Sequence, residues 1–358
     1  MLEYNQIKRV HLEISTLCNA SCPQCPRNAC GFPFNAGYPE LNMTLTMAKQ
    51  IFTSDFVQQL DEILINGNFG DMVMNQETPD IVDYWKELNP NLSIVASTNG
   101  GARNKQFWER LAKQNLSIDF CIDGLADTHH LYRQNTRFDT VVRNAKIFIA
   151  AGGTAYWKCI DFLHNKHQQE QMKMLAGEWG FKGFDVIDHG RNYGPVYNSQ
   201  GKMTHTLGGY PMGDHGVLQV ALADKVSSWD KFLREHRQNS SFDPRQDEVK
   251  ISCDTIEQNR IYISADGQVF PCCYTGFYPG KYKKGGPYIA GINHQLLDFI
   301  SENNALQYSI EHSVKWFNKL QEKWTERDYA KGRPIVCDAE CGSCGVQKIS
   351  SRTWLNDQ

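Results

Sequence analysis

Between Arg9 and Asp188 the apolar residues fall in short, β-rich runs, and the intervals between the runs carry the three-to-four spacing of amphipathic helices. The strand candidates are VHLEIS (10–15), EILING (62–67), LSIVAS (92–97), SIDFCI (117–122), AYWKCIDF (155–162) and FDVID (184–188). Thr78 and Pro79 read as the cap and first residue of one helix, Asp139 as the cap of another, and Gly152 and Gly180 as helix stops. Six strands with five helices between them predict repeated βα units, a parallel sheet and a partial (β/α)6 TIM-like barrel. Periodicity alone leaves an open doubly wound sheet as the alternative.

Beyond Asp188 the pattern changes. Stretches such as HGRNYGPVYNSQGK (189–202) and GGYPMGDHG (208–216) carry no clear period, and one short helical pattern follows near Trp229 to His236. Residues 196–250 therefore read as a linker with loops, after a barrel assigned to 1–195. The segment RIYISADGQVF (260–270) offers two strands around Asp266-Gly267, a hairpin signal within a small cysteine-rich α+β region assigned to 251–358.

Composition narrows the function classes. A length of 358 residues suits a barrel plus an appendage, and 22% charged residues with a net charge of -3 give no basic field for nucleic acid. No apolar run of about 18 residues occurs and no basic start precedes an apolar core, so no membrane association and a cytoplasmic location are expected. Twelve cysteines then need a reason, because a reducing compartment disfavours a disulfide framework. Metal ligation is the leading account. Cys18, Cys22 and Cys25 form one group, and Cys253, Cys272, Cys273, Cys337, Cys341 and Cys344 a second. Cys30, Cys121 and Cys159 read as buried small apolar residues, although the last two lie on strands and could reach a barrel interior.

The segment CNASCPQC sets Cys18, Cys22 and Cys25 at Cys-x3-Cys-x2-Cys spacing directly after the first strand. Three thiolates can hold a cuboidal four-iron cluster and leave one iron open to a small molecule; a zinc site or buried thiols are the alternatives. The spacing resembles that of the radical S-adenosylmethionine (SAM) superfamily. The landmarks INGNFGD (65–71), STNG (97–100), CIDG (121–124) and LYRQNTRFDTVVRNA (131–145) stand in the order seen in members with SPASM or twitch domains. Gln24 replaces an aromatic residue common before the third cysteine, and INGNFGD replaces the commoner Gly-Gly-Glu-Pro.

The resemblance implies that S-adenosylmethionine chelates the open iron of a [4Fe-4S] cluster and is cleaved reductively to a 5′-deoxyadenosyl radical, which abstracts hydrogen from a substrate. It assigns Gly67, Asn68, Gly70 and Asp71 to the methionine moiety, places Thr98, Asn99 and Asp123 at strand ends on the reactive face, and pairs Arg133 with the cosubstrate carboxylate. Turn formers and a surface ion pair are the plain alternatives. His129 and His130 read as polar surface residues.

The C-terminal cysteines look like a twitch domain, a shortened SPASM domain with one auxiliary [4Fe-4S] cluster on Cys253, Cys272, Cys341 and Cys344. Cys273 and Cys337 are alternative ligands and a zinc ribbon is the rival fold. No cysteine follows Cys344, so one auxiliary cluster is expected. An oxidation, a crosslink or an epimerisation fits this class, with flavodoxin or ferredoxin as electron donor and a small molecule or peptide as substrate. No winged-helix leader-binding segment precedes Arg9, which favours a small metabolite over peptide maturation. A noncatalytic iron-sulfur, zinc-binding or electron-transfer protein would share both cysteine groups. Asp188, His189 and Arg191, with Tyr193, end the sixth strand candidate and are the expected substrate contacts; a polar linker entrance is the alternative.

Overall fold

The computed structural model describes residues 2–33, 39–188, 194–208, 250–276, 302–326, 332–334, 336–337 and 341–342. Strands β1 (Arg9–Leu12), β2 (Asn28–Ala29) and β3 (Phe32–Pro33) precede helices α1 (Leu45–Ile51) and α2 (Ser54–Gln59). The alternation continues as β4 (Glu62–Ile65), α3 (Thr78–Leu88), β5 (Ser93–Thr98), α4 (Lys105–Lys113), β6 (Ser117–Cys121), α5 (His129–Tyr132) and α6 (Phe138–Ala150). It closes with β7 (Thr154–Ile160), α7 (Gln169–Glu178) and β8 (Gly183–Ile187). Then come a hairpin of β9 (Gly194–Tyr197) and β10 (Met203–Leu207), α8 (Asp254–Glu257), β11 (Arg260–Ile263), β12 (Val269–Phe270) and α9 (Ile310–Glu322).

The main sheet has eight strands in the order β12-β11-β1-β4-β5-β6-β7-β8. From β1 to β8 all neighbours are parallel and follow chain order without the reversal that a doubly wound sheet requires, which decides the fold for the partial barrel. The hairpin β11–β12 is where the sequence predicts it, with Gly267 at φ +83 in its turn. Less expected is its partner. β11 runs parallel to β1, Arg9 opposite Arg260 and Leu12 opposite Ile263, so the C-terminal hairpin extends the barrel sheet.

The strands' two faces differ as their alternation demands. Ile94 and Ala96, Ile118 and Phe120, and Ala155, Trp157 and Cys159 are buried in one core with Trp85, Trp108, Val141 and Phe148 of the helices. Phe120 meets Trp108, Phe148 and Phe181 at ring-centroid distances of 5.4, 6.0 and 6.2 Å. The opposite face carries polar side chains: Lys158 pairs with Asp119 at 2.5 Å, and the Ser97 hydroxyl donates to the same carboxylate at 3.3 Å.

Helix ends show where local signals were read correctly and where they slid. After α6 and α7 the Gly152 and Gly180 amides donate to Ile149 and Gly177, and the next amides to Phe148 and Ala176, the paired bonds that end helices at a glycine. The caps lie one or two residues earlier than predicted. Glu77 caps α3, putting both Thr78 and Pro79 in its first turn, and Arg137 caps α6, putting Asp139 there. Acidic residues and proline favour the first turn as well as the cap, so the pattern alone does not separate the positions. The β9–β10 hairpin, turned by Asn198 to Gly201, spans the boundary after residue 195 and occupies the start of the stretch 196–250 expected to be linker.

Replacing Phe120 with alanine removes the ring that joins α4, α6 and the sheet. A loss of about 3–5 kcal/mol is expected, read as a lowered denaturation midpoint; a loss under about 1 kcal/mol would mean that the aromatic cluster closes over the cavity.

Candidate active site at the strand ends

The C-terminal ends of β1, β4, β5, β6 and β7 meet on one rim, the position that parallel βα folds leave open for ligands. The cysteine loop leaves β1 here. Its start is fixed by close packing: a Cβ on Gly70 would come within 1.8 Å of the Ser15 carbonyl oxygen and 2.8 Å of the Thr16 carbonyl carbon, both backbone. The Asp71 amide donates to Leu17 O at 2.8 Å, completing the contact between the two loops.

Asp71 organises the neighbouring strand end. One carboxylate oxygen accepts the Thr98 hydroxyl at 2.6 Å and the Val73 amide at 3.1 Å; the other accepts the Asn99 amide at 2.7 Å. Burial raises its pKa, and these three donors oppose the rise. Asn99, so held, donates its side-chain amide to Asn19 at 3.0 Å and toward the Cys18 sulfur at 3.5 Å.

Asp123 does the same at the next strand end. It accepts the Ile160 amide at 2.6 Å, tying β6 to β7, and the Arg133 Nε at 2.5 Å. The Arg133 Nη1 points at the Cys22 sulfur, 3.8 Å away, and the guanidinium lies 5.4 Å from the Tyr132 ring centroid. Burial works against the Arg133 charge, and Asp123, Cys22 and Cys121 more than offset it. The turn after Arg133 also grips the cysteine loop, with Gln134 O accepting the Ser21 amide at 3.0 Å and Asn135 donating to the Ser21 hydroxyl at 2.7 Å.

The three N-terminal cysteines pack as neighbours. Cys22 is buried with Ala20, Tyr132, Ile160, Phe162, Val196 and Leu207, and Cys18 and Cys25 flank the same cluster. Burial pushes the Cys22 thiol up to about 11 despite the Arg133 charge; burial, Asp71 and the other two thiols push Cys18 well above the usual thiol range. Burial thus opposes ionisation of the Cys18 and Cys22 thiols, and a bound metal would supply the positive charge that favours their thiolates. N–H groups already aim at the sulfurs: the Ala20 amide at 3.4 Å and Asn99 at Cys18, and Arg133 at Cys22. Such donors stabilise metal-bound thiolates, so the residues fit an iron-sulfur cluster. Among the described residues no three His, Cys, Asp or Glu side chains form a group placed to hold a single metal ion.

In the C-terminal region an isolated bridge between Ile251 and Gly342, with the Ser252 amide on Cys341 O at 3.0 Å, brings Cys253 to Cys341. A hydrogen bond between the Cys341 and Cys253 thiols lowers Cys253 from the usual thiol range and raises Cys341. Burial, Cys273 and Cys253 push Cys272 up to about 12, and Cys272 and Cys337 both act on Cys341. Three of the four expected ligands, Cys253, Cys272 and Cys341, are thus neighbours; Cys344 lies outside the described residues.

Several assignments come together differently from expectation. Gly67 and Gly70 flank a buried carboxylate that sequence reading passed over, Glu13, while Asn68 donates to Cys273 O at 2.8 Å. Glu13 accepts the Phe69 amide at 2.6 Å, the Gly70 amide at 3.1 Å and the Tyr262 hydroxyl at 2.9 Å. In the sequence Glu13 is one of the polar positions, with His11 and Ser15, that alternate with Val10, Leu12 and Ile14. His129, read as surface, is 1% exposed and bonds the Thr136 hydroxyl at 3.1 Å, whereas His130 is exposed. Asp188 lies exposed past the end of β8; His189, Arg191 and Tyr193 lie outside the described residues.

No family model matches the chain, and no curated protein matches it. Among solved structures, Streptococcus suis SuiB bound to S-adenosylmethionine is similar at 14% identity, over 92% of this chain and 77% of that one, with a TM-score of 0.50. The anSMEcpe enzyme with bound AdoMet is similar at 14% identity over 94% and 86%, TM-score 0.49, and BtrN with AdoMet and 2-DOIA at 12% over 92% and 91%, TM-score 0.44. At these identities the likeness to SuiB is one of fold, the partial barrel with its C-terminal extension.

Burial raises Glu13 from an ordinary 4.5 to about 7, against the pull of the Phe69, Tyr262 and Gly70 donors. A raised carboxyl contributes stability that is present below its unfolded pKa and lost as pH rises through the folded value. Relative to Glu13→Gln, the parent should lose roughly 3 kcal/mol of unfolding free energy between about pH 4 and 8, measured by urea denaturation at each pH. A pH-independent difference would show that folding leaves the Glu13 pKa unchanged.

Proposed function

We propose that this chain is a radical S-adenosylmethionine enzyme whose first cluster is held by Cys18, Cys22 and Cys25. The observation that carries this reading is the convergence of Asn99 and Ala20 N–H groups on the half-buried Cys18 sulfur and of the Arg133 N–H on the buried Cys22 sulfur, at the open end of a partial barrel. A likeness of fold to a protein that binds S-adenosylmethionine supports it. When bound, the cluster supplies the electron that cleaves the sulfonium to a 5′-deoxyadenosyl radical.

The chain's own residues then bind, orient and exclude. Asp123 fixes the Arg133 fork through Nε, so the guanidinium faces the rim ready to take the cosubstrate carboxylate. Asp71 sets the Thr98 and Asn99 strand end, and the loop of Gly67, Asn68 and Gly70 offers close backbone to the methionine end. The β9–β10 hairpin sets Val196 and Leu207 against Cys22 and keeps water from the thiols.

A second [4Fe-4S] cluster on Cys253, Cys272, Cys341 and Cys344 belongs to the same proposal. An auxiliary cluster suits an oxidation, a crosslink or an epimerisation, with flavodoxin or ferredoxin as the electron donor. The polar inner face with Ser97, Asp119 and Lys158 suits a polar small molecule or peptide; Asp188, His189 and Arg191 remain the proposed substrate contacts, the last two outside the described residues.

Anaerobically reconstituted protein should hold about eight irons, release 5′-deoxyadenosine under reduction, and keep about four irons when Cys18, Cys22 and Cys25 are alanine. Saturation with zinc in place of iron would overturn both cluster assignments; iron without cleavage would leave an electron-transfer protein.

Arg133→Ala should weaken S-adenosylmethionine binding by roughly 1.5–3 kcal/mol, the worth of a charged hydrogen bond, with iron content unchanged. Asp188→Asn should keep both binding and uncoupled cleavage and lose substrate turnover. Parent-like affinity in the first, or parent-like turnover in the second, moves the residue out of the site.

A further inference from the structure

The loop after β4 is held from two sides by groups that belong to the C-terminal region or bond to it. Glu13, 0% exposed, accepts the Phe69 and Gly70 amides on one oxygen and the Tyr262 hydroxyl on the other. Tyr262 stands on β11 opposite His11 of β1, its ring edge-on to the His11 ring at 5.2 Å. The same ring lies against Gly276, where a Cβ would come within 2.3 Å of it. The second hold is Asn68, whose amide donates to the carbonyl of Cys273 at 2.8 Å. Gln268 to Gly276 is the stretch that carries Cys272, so both holds lead into the cysteine-bearing hairpin.

The choice of a carboxylate here is chemically specific. Two amides and one hydroxyl converge on the Glu13 oxygens, and an acceptor with two oxygens satisfies all three. A glutamine in its place keeps one oxygen for the two amides and can donate to the Tyr262 oxygen, but it gives up the charge that strengthens these bonds. Burying an acid is costly, but an apolar side chain in its place would leave the Phe69 and Gly70 amides without their acceptor. The loop it holds has no freedom to compensate by moving toward β1, because Gly70 already touches the Ser15 backbone.

We propose that Glu13 is a positioning residue for S-adenosylmethionine: clamped by Tyr262 and helped by Asn68, it sets the 67–70 backbone and so ties cosubstrate affinity to the seating of the C-terminal hairpin. The inference rests on the functional reading above and names a residue outside the cysteine motif and its landmarks. Glu13 touches neither cosubstrate nor cluster; it acts through the loop.

The test uses the full chain, anaerobically reconstituted, as parent, Tyr262→Phe and Glu13→Gln. Two readouts are taken: the dissociation constant of S-adenosylmethionine, with the change it produces in the spin-resonance spectrum of the reduced cluster, and amide hydrogen exchange over residues 60–75. Tyr262→Phe keeps the ring packing and should weaken binding roughly three- to tenfold, one neutral hydrogen bond's worth. Glu13→Gln should weaken it more. Exchange at Phe69 and Gly70 should quicken in both while the Asn66 amide, bonded to Leu12 O, keeps its parent rate. Parent-like affinity in Tyr262→Phe overturns the inference, as does exchange that quickens uniformly, which marks a merely structural acid. A parent that takes up iron but does not bind S-adenosylmethionine overturns the functional reading and the inference together.

Discussion

β1 has parallel neighbours on both edges, β4 on one and β11 on the other, and the site depends on that pairing. A strand held on both sides has no freedom to shift register, so the residues that follow it emerge at fixed height. Glu13, Ser15 and the cysteine loop all leave β1 from there. The loop is then met by strand ends that are themselves in register, and the close approach of Gly70 to Ser15 is tolerable only because neither backbone can drift.

Electrostatics follow the same geometry. Three buried carboxylates, Glu13, Asp71 and Asp123, stand at the ends of successive or adjacent elements, and each gathers donors from another segment: Phe69 and Tyr262, Thr98 and Asn99, Ile160 and Arg133. Burial would make each acid expensive on its own. Shared among backbone amides and one guanidinium, the acids become the joints between loops that otherwise have little apolar surface in common. The thiols lie on the inner side of these joints, where the N–H groups that face their sulfurs are themselves fixed by the carboxylates.

The barrel was legible because each strand joins β-branched residues to alternation, and because chain order equals sheet order, which is the simplest outcome of repeated βα units. The cysteine spacing was legible as chemistry. Glu13 was not, since an acid among the alternating polar positions of VHLEIS looks like any solvated residue; its meaning comes from Tyr262, some 250 residues away in the chain. His129 was misjudged for a related reason: adjacent histidines look solvated, yet a four-residue helix turned one toward Thr136 and left the other outside. The β9–β10 hairpin was hidden by composition, because Gly194, Pro195 and short polar strands read as linker until Val196 and Leu207 find Cys22.

The pairing of β1 with β11 also dictates an order of events during synthesis. Arg9 leaves the ribosome early, whereas its partner Arg260 is made some 250 residues later. At usual elongation rates the wait is roughly ten seconds to a minute. Through that interval β1 carries one open hydrogen-bonding edge, the kind of edge that recruits strands from other chains. Contacts so distant in sequence also slow folding after release, because the intervening chain must be ordered before they form. β1 is therefore among the last strands of its sheet to be finished, and crowding by sister chains is most dangerous before β11 arrives.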